Sequence, residues 1–306
     1  MIILGIGLYI TNAANRDQQE ATRRQQDLAA AGQIADRFTQ AIDQLGQPGS
    51  DKIDVRLGAL YSLERIMRDS AVNQPAVVEV MAAFVRVHAP ASEADPRAPT
   101  ASPQALRLPA TPVDIQAAVT VLGRRNRDFD HLPDGLNLVA TNLGGANLTN
   151  AKLSSARLDD ADLRYASIGQ AQLSDAFMGK ANLYGSALDQ ADLSRAILIS
   201  ADLRYAHMWQ TNLTSAILIR ADLRNTQMQG TDLTRADLRS ADLRGADMYG
   251  ATLAMADLTG ADLRGAVNLT NDGVRCAKMD DRTQLPNGIV RPGRLDDLDL
   301  EACRFR

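Results

Sequence analysis

A mainly β solenoid of four-sided coils, preceded by a small α-helical region, is the fold this sequence predicts. Twenty-six consecutive five-residue units, from about Leu136 to Gly265, repeat one pattern: small, Asp/Asn/Thr, Leu, polar, variable. Counted every five residues from Leu138 to Leu263, the central residue is Leu in 21 of 26 units, with Ile168, Met178, Met208, Met228 and Met248 as the exceptions. Two residues before it stands Ala in 20 of 26 units.

The period dictates the geometry. Residues two apart in extended backbone face the same side, so the Ala and the central Leu point inward together. The Asp/Asn between them and the residue after Leu point outward. The fifth residue breaks the alternation and turns a corner, so four sides close a coil of about twenty residues. Each coil buries little alone and must stack on the next. Small Ala leaves room for the neighbouring Leu in a narrow interior. Six and a half coils at a strand spacing of ~4.8 Å give a rod roughly 30 Å long.

Four stretches before the rod have helical apolar spacing. Ala31, Ile34, Phe38, Ile42 and Leu45 form one stripe, ending at Gly46. Ile53, Leu57, Leu60, Leu63 and Met67 form a second. Pro75 opens a third, with Val77, Val80, Met81 and Phe84 inward. The fourth follows Thr111-Pro112 and uses Ile115, Val119 and Leu122. The apolar run Met1–Ile10 is too short to span a bilayer, which takes ~20 residues. It reads as the second half of a transmembrane segment, with a docked apolar helix as the alternative. Arg23 and Arg24 behind it favour a cytoplasmic placement of the segments after them. The expected organisation is a partial hydrophobic or transmembrane segment at 1–14, an α-helical region at 15–88 and a Pro/Ala-rich linker at 89–111. A helix and N-terminal cap at 112–135, the β-helix at 136–270 and a C-terminal cap and tail at 271–306 complete it. A one-residue register slip at Ala266-Val267-Asn268-Leu269 marks the start of that last cap.

The runs Ala161-Asp162-Leu163-Arg164, Ala201-Asp202-Leu203-Arg204 and Ala241-Asp242-Leu243-Arg244-Gly245 resemble the pentapeptide-repeat family. The resemblance implies a right-handed quadrilateral β-helix. The family includes proteins without known activity and DNA-mimicking topoisomerase inhibitors. Three helical segments, Gly32–Ile42, Asp54–Ile66 and Val77–Arg86, resemble a membrane-associated actinobacterial subgroup, in which a transmembrane region precedes the helices and the repeats come after them.

Chemistry is sparse. His88, His131 and His207 lie far apart in sequence, and no phosphate loop, nucleophile elbow or CxxC occurs. No catalytic or metal-ligating residue and no cofactor is expected. Cys276 and Cys303 are expected to be free thiols. The net charge of −4 argues against a basic nucleic-acid surface, so no direct nucleic-acid binding is expected. From Leu136 to Ala266 there are 14 Asp against ten Arg and two Lys, a weak field for mimicking DNA.

One side of the rod breaks the polar pattern. Positions twenty apart stack, so Phe177, Ile197 and Ile217 share one outward column and Ile199 and Ile219 the next. Contiguous apolar surface of this kind marks contact sites. It fits a homodimer seam, a dock for the chain's own helical half, or a surface for a partner or membrane. On the opposite side His207, Trp209 and Tyr249 form a secondary candidate, which also reads as scattered surface aromatics. The functional expectation is a non-enzymatic interaction scaffold near a membrane, acting through a protein partner or self-association. It would be membrane-associated through its N-terminal segment, with the repeats cytoplasmic. The alternative is a DNA-mimicking inhibitor or protector of a topoisomerase-type enzyme.

Overall fold

The computed structural model describes residues 2–91, 111–130, 132 and 135–291, and the side chains of residues 2–14 are outside that description. Two compact units divide the chain at Asp69/Ser70.

The first unit holds two helices, α1 (Ile2–Leu45) and α2 (Ile53–Asp69), which pack on each other. α1 does not begin near Ala31 as its apolar stripe suggests. It runs unbroken from Ile2 through an exposed polar stretch, because nothing between Ala13 and Gly46 stops a helix. Its buried stripe also differs: Ala41 and Leu45 are buried, Ile34 and Phe38 are half-buried, and Ile42 and Ala31 face outward. Spacings of four, three and four follow the 3.6-residue turn more closely than the expected set. α2 meets this stripe with Ala59, Leu60, Leu63 and Ile66. Arg56 of α2 donates to the carbonyls of Gln47 and Gly49, holding the connecting loop. No helix among the described residues is long and apolar enough to cross a membrane. The transmembrane helix expected at residues 1–14 is therefore not found; the apolar run opens a long helix whose later turns are polar and charged.

The second unit contains α3 (Gln74–His88), α4 (Val113–Arg124) and the rod. Parallel bridges join residues twenty apart without a break, from Asn137↔Arg157 to Asp247↔Val267. The sides are too short to make formal strands: each contributes one bridging residue, and the ladders consist of isolated bridges. All 26 central residues are at most 2 % exposed, and the inward Ala residues are buried with them. Where Thr or Ser replaces Ala, the hydroxyl finds a buried carbonyl. Thr141 donates to Leu138 O, Ser186 to Leu183 O and Thr231 to Met208 O, at 2.6–2.8 Å.

Every fifth residue turns the corner with φ between 52° and 72° from Ala140 to Gly265. The residue after each centre and this left-handed residue form a tight turn, closed as in Ala146 N–H to Leu143 O at 3.0 Å. Most of these corners are not Gly. Tyr165, Lys180 and Arg220 all hold left-handed backbone, which costs such residues ~1–2 kcal/mol. Four of the five N–H groups of a unit are thereby used: one in the turn, one to the coil below and two to the coil above. The Asp/Asn side chain takes the fifth. On one side Asn142, Asp162, Asn182, Asp202, Asp222, Asp242 and Asp262 each accept from the N–H two residues on, at 3.1–3.2 Å.

Both ends of the rod are closed. Asn142 N–H reaches Ala89 O at 2.6 Å, Asn147 N–H reaches Gln116 Oε1 at 2.8 Å and Lys152 N–H reaches Gly123 O at 2.9 Å. Residues 89–91, linker by composition, thus pair antiparallel with the first coil through Pro90↔Thr141. An uncovered edge would template unwanted pairing. His131, Pro133 and Asp134, expected to help close this end, lie outside the described residues. At the far end the period lengthens to Asp257↔Lys278 and Asp262↔Gln284, where the short helix α5 (Asn271–Val274) is inserted after the register slip. Cys276 is disulfide-bonded, against the expectation of a free thiol, since chain size and composition do not fix which cysteines meet in space.

Replacing Leu203, wholly buried mid-rod, by Ala is expected to cost about 2–5 kcal/mol in urea unfolding. Acid should loosen the rod as well. The Arg195 and Arg264 guanidinium groups hold the Asp175 and Asp262 carboxyls below the usual carboxylate range. Their contribution is full above the unfolded value of ~3.9 and is lost as pH falls through the lower folded values. Melting temperature is expected to be level from about pH 5 to 8 and to fall below about pH 4, with a shallower fall in Asp262→Asn.

Candidate functional site

Most outward positions of the rod carry ion pairs that are local and closed. In Asp162/Arg164, Asp202/Arg204, Asp222/Arg224, Asp242/Arg244 and Asp262/Arg264 the guanidinium grips the carboxylate two residues earlier, with Nη2–Oδ2 distances of 2.6 Å. Arg204, Arg224 and Arg244 also reach the Asp one coil above at 3.5–3.6 Å. Asp162 is buried and the other carboxylates are half-buried, so such pairs add solubility and modest stability. The same carboxylates cap backbone N–H groups, so they serve the rod's own backbone and arginines.

The neighbouring side departs from this plan. Phe177 bridges to Ile197 and Ile197 to Ile217, and the structure thereby stacks the predicted column coil upon coil. Ile199 and Ile219 lie beside it across the central Leu198 and Leu218. Phe177 is 43 % and Ile199 41 % exposed, while Ile197, Ile217 and Ile219 are half-buried. All five sequence-predicted residues share one solvent-facing patch.

The column also forgoes its caps. Phe177, Ile197 and Ile217 occupy the slot where Asp or Asn elsewhere accepts the N–H two residues on. Gly179 N–H is rescued by Asp159 Oδ1 from the coil below, at 3.0 Å. For Ile199 and Ile219 no N–H bond forms among the described residues. A missing hydrogen bond is worth about 1 kcal/mol at a wetted site. The column shares this with other units that lack Asp or Asn at the slot, such as Ser167 and Gln172, whose N–H groups two residues on form no bond among the described residues either; what sets the column apart is its apolar side chains. Sequence reading found the five residues by their polarity; the lost caps were invisible until the Asp/Asn role was seen in the backbone.

At the foot of the column a cleft of about 590 Å³ opens between the first coils and the loop after α4. Arg127, Ser154, Ser155, Arg157, Asp159 and Phe177 line it, together with Arg125 and Asp130, which pair with each other at 2.7 Å. Arg127 Nε has no hydrogen-bond partner. No polarity pattern in the sequence signals this cleft, because α4 and the repeats meet only in space.

On the opposite side His207, Gln227 and Asp247 stack as predicted, with Trp209 46 % and Tyr249 67 % exposed. Trp209 N–H donates to Asp189 Oδ1 at 3.0 Å, and Gln229 bonds Asp247 at 2.7 Å. The aromatic rings stand two coils apart with Gln229 between them and do not join. Gln170, Gln190 and Gln210 form an amide ladder along the adjacent corner, at 3.1 and 3.2 Å. Met208, Met228 and Met248 beneath are buried core. Among the described residues no group of His, Cys, Asp and Glu is placed to hold a metal ion.

Ile197→Asn and Ile217→Asn restore a cap for Ile199 and Ile219 N–H. Each is expected to leave the melting temperature within about 4 °C of the parent. A loss matching that of Leu203→Ala would show that the column is core.

Comparison with known proteins bears on the rod. The family model described as pentapeptide repeats matches in eight copies, over residues 141–179, 178–214, 196–235 and 226–267. Solved structures similar to the chain include HetL, a pentapeptide repeat protein involved in heterocyst differentiation regulation from the cyanobacterium Nostoc sp. strain PCC 7120. It is 28 % identical over 52 % of this chain and 85 % of its own, with a TM-score of 0.25. The pentapeptide repeat protein alr5209 from Nostoc PCC 7120 is 31 % identical, over 39 % of this chain and 84 % of its own, with a TM-score of 0.14. QnrB1, a plasmid-mediated fluoroquinolone resistance protein, is 16 % identical over 46 % of this chain and 80 % of its own, with a TM-score of 0.22. No curated protein matches. Matched copy by copy over residues 141–267 and stacked at a constant twenty residues, the rod of this chain is built of pentapeptide repeats.

Proposed function

We propose that the protein is a non-enzymatic interaction scaffold whose working surface is the column of Phe177, Ile197, Ile199, Ile217 and Ile219. The observation that carries this reading is the stacking of exposed and half-buried apolar side chains at successive outward slots of one side. Three successive coils carry Phe, Ile and Ile at the slot that Asp or Asn fills on the neighbouring side, and two carry Ile across from it. Ridged, rigid and regularly spaced, such a face suits an extended chain laid along or across the coils.

Placement near a membrane, with the repeats in the cytoplasm, is part of the same proposal. Its support is the apolar run at the start of α1, the Arg23-Arg24 pair behind it and the resemblance of the helical segments to a membrane-associated subgroup. The topoisomerase-directed alternative draws less support. Arg neutralises the Asp two residues before it along the most acidic side, which leaves little of the uninterrupted negative field a DNA mimic needs.

A photo-crosslinking residue at position 199, in cells that express the protein, tests the reading. Adducts are expected at 199, fewer at 229 on the opposite side, and none at 199 once Ile197→Asn/Ile217→Asn is introduced. Adduct mass separates self-association from a different partner. Equal labelling at 199 and 229, unaffected by the double variant, would sink the proposal.

A further inference from the structure

Of the ten arginines between Leu136 and Ala266, seven are ion-paired. Six grip the Asp two residues earlier, and Arg195 grips Asp175 one coil below at 2.6 Å. The other three, Arg157, Arg220 and Arg235, form no side-chain hydrogen bond or ion pair among the described residues, and neither do Lys152 and Lys180. All but Lys152 border the apolar column. Arg157 bridges directly below Phe177. Lys180 and Arg220 turn the corner on one edge, and Arg235 turns it on the other.

Arg157 owes its freedom to an inverted order. Elsewhere the unit reads Asp-Leu-Arg and the pair closes on itself. Here it reads Arg157-Leu158-Asp159, and Asp159 is committed to Gly179 N–H. The guanidinium faces the cleft of about 590 Å³ instead, across from Arg127 with its unpartnered Nε. The acids on this face between Arg157 and Arg239 that are not paired to Arg are Asp159 and Asp160, the latter one coil below Lys180. The apolar face is thus locally cationic on a rod that is net negative.

We infer that the occupant of this face is an extended acidic segment of a partner protein. Its apolar side chains lie on the isoleucine column, and its carboxylates meet Arg157, Lys180, Arg220 and Arg235. One acidic side chain enters the cleft between Arg127 and Arg157. The inference rests on the reading of the column as an interaction face and adds the partner's chemistry. A second copy fits poorly, because a two-fold contact sets the same cations against each other. A lipid surface fits less well than a peptide, because three of the five apolar side chains are half-buried and the cationic foot is a concavity.

The test is fluorescence anisotropy on the full chain with a short labelled peptide of alternating Leu and Asp. Leu/Lys and Ser/Asp peptides serve as controls, with phosphatidylcholine vesicles with and without phosphatidylserine as a third arm. Saturable binding of the Leu/Asp peptide is expected, weakened roughly three- to tenfold by R157Q/R220Q/R235Q and also by Ile197→Asn/Ile217→Asn. It should weaken further with added salt. If the charge variant binds as the parent does while the apolar variant fails, the acidic chemistry is overturned and the interaction face stands. If neither variant alters binding, both readings fall. Binding to phosphatidylserine vesicles without binding to the Leu/Asp peptide overturns the inference in favour of a membrane surface.

Discussion

A corner every five residues is the constraint on which the rest of the rod depends. The fifth residue must take a left-handed backbone so that the chain turns onto its next side, and it does so at Tyr165, Lys180 and Arg220 as at Gly145 and Gly245. Local strain at so many positions persists only where the surroundings over-determine it. Here the over-determination is the stack: each unit lends hydrogen bonds to the coils above and below, and every coil fixes the corners of its neighbours. Cooperativity of this kind makes caps at both ends a necessity. Ala89, Gln116 and Gly123 therefore supply acceptors to a first coil that has nothing beneath it.

The same accounting explains the outward face. Four N–H groups of a unit are absorbed by turn and stack, and the fifth asks for a carboxylate or amide two residues earlier. Asp serves twice, capping the backbone and holding the Arg beside it, which is why Asp-Leu-Arg recurs as a motif. An apolar residue in that slot gives up both services. The column at 177, 197 and 217 is therefore a departure from that plan, and Arg157, Arg220 and Arg235 beside it stand without the Asp two residues earlier that holds most of the other arginines.

The two units show different kinds of legibility. For α3 and α4 the expected inward residues Val77, Met81, Phe84, Ile115, Val119 and Leu122 are buried, whereas Val80 is half-buried and Val78 is buried in its stead. In α1 the stripe shifted by one turn position, to Ala41 in place of Ile42, since side-chain size outweighed phase in the sequence reading. The apolar start of α1 suggested part of a membrane segment, and in the structure it continues into a charged helix that is not long and apolar enough to cross a membrane. Of the candidate site, the five column residues were legible because a strict period makes each exception stand out. The cleft with Arg127 and Arg157 was not, since its walls come from a loop and a coil about thirty residues apart.

By itself the sequence determined the coil length, the inward and outward assignment of every repeat residue and the position of the apolar column. All of these are properties of period, and period is local. Tertiary structure alone decided which arginines are spent in ion pairs and which stand free. It also decided where an N–H is left without its cap, and how α3 and α4 close the first coil. Those outcomes depend on distances between coils and across the cap, which no pattern along the chain can encode.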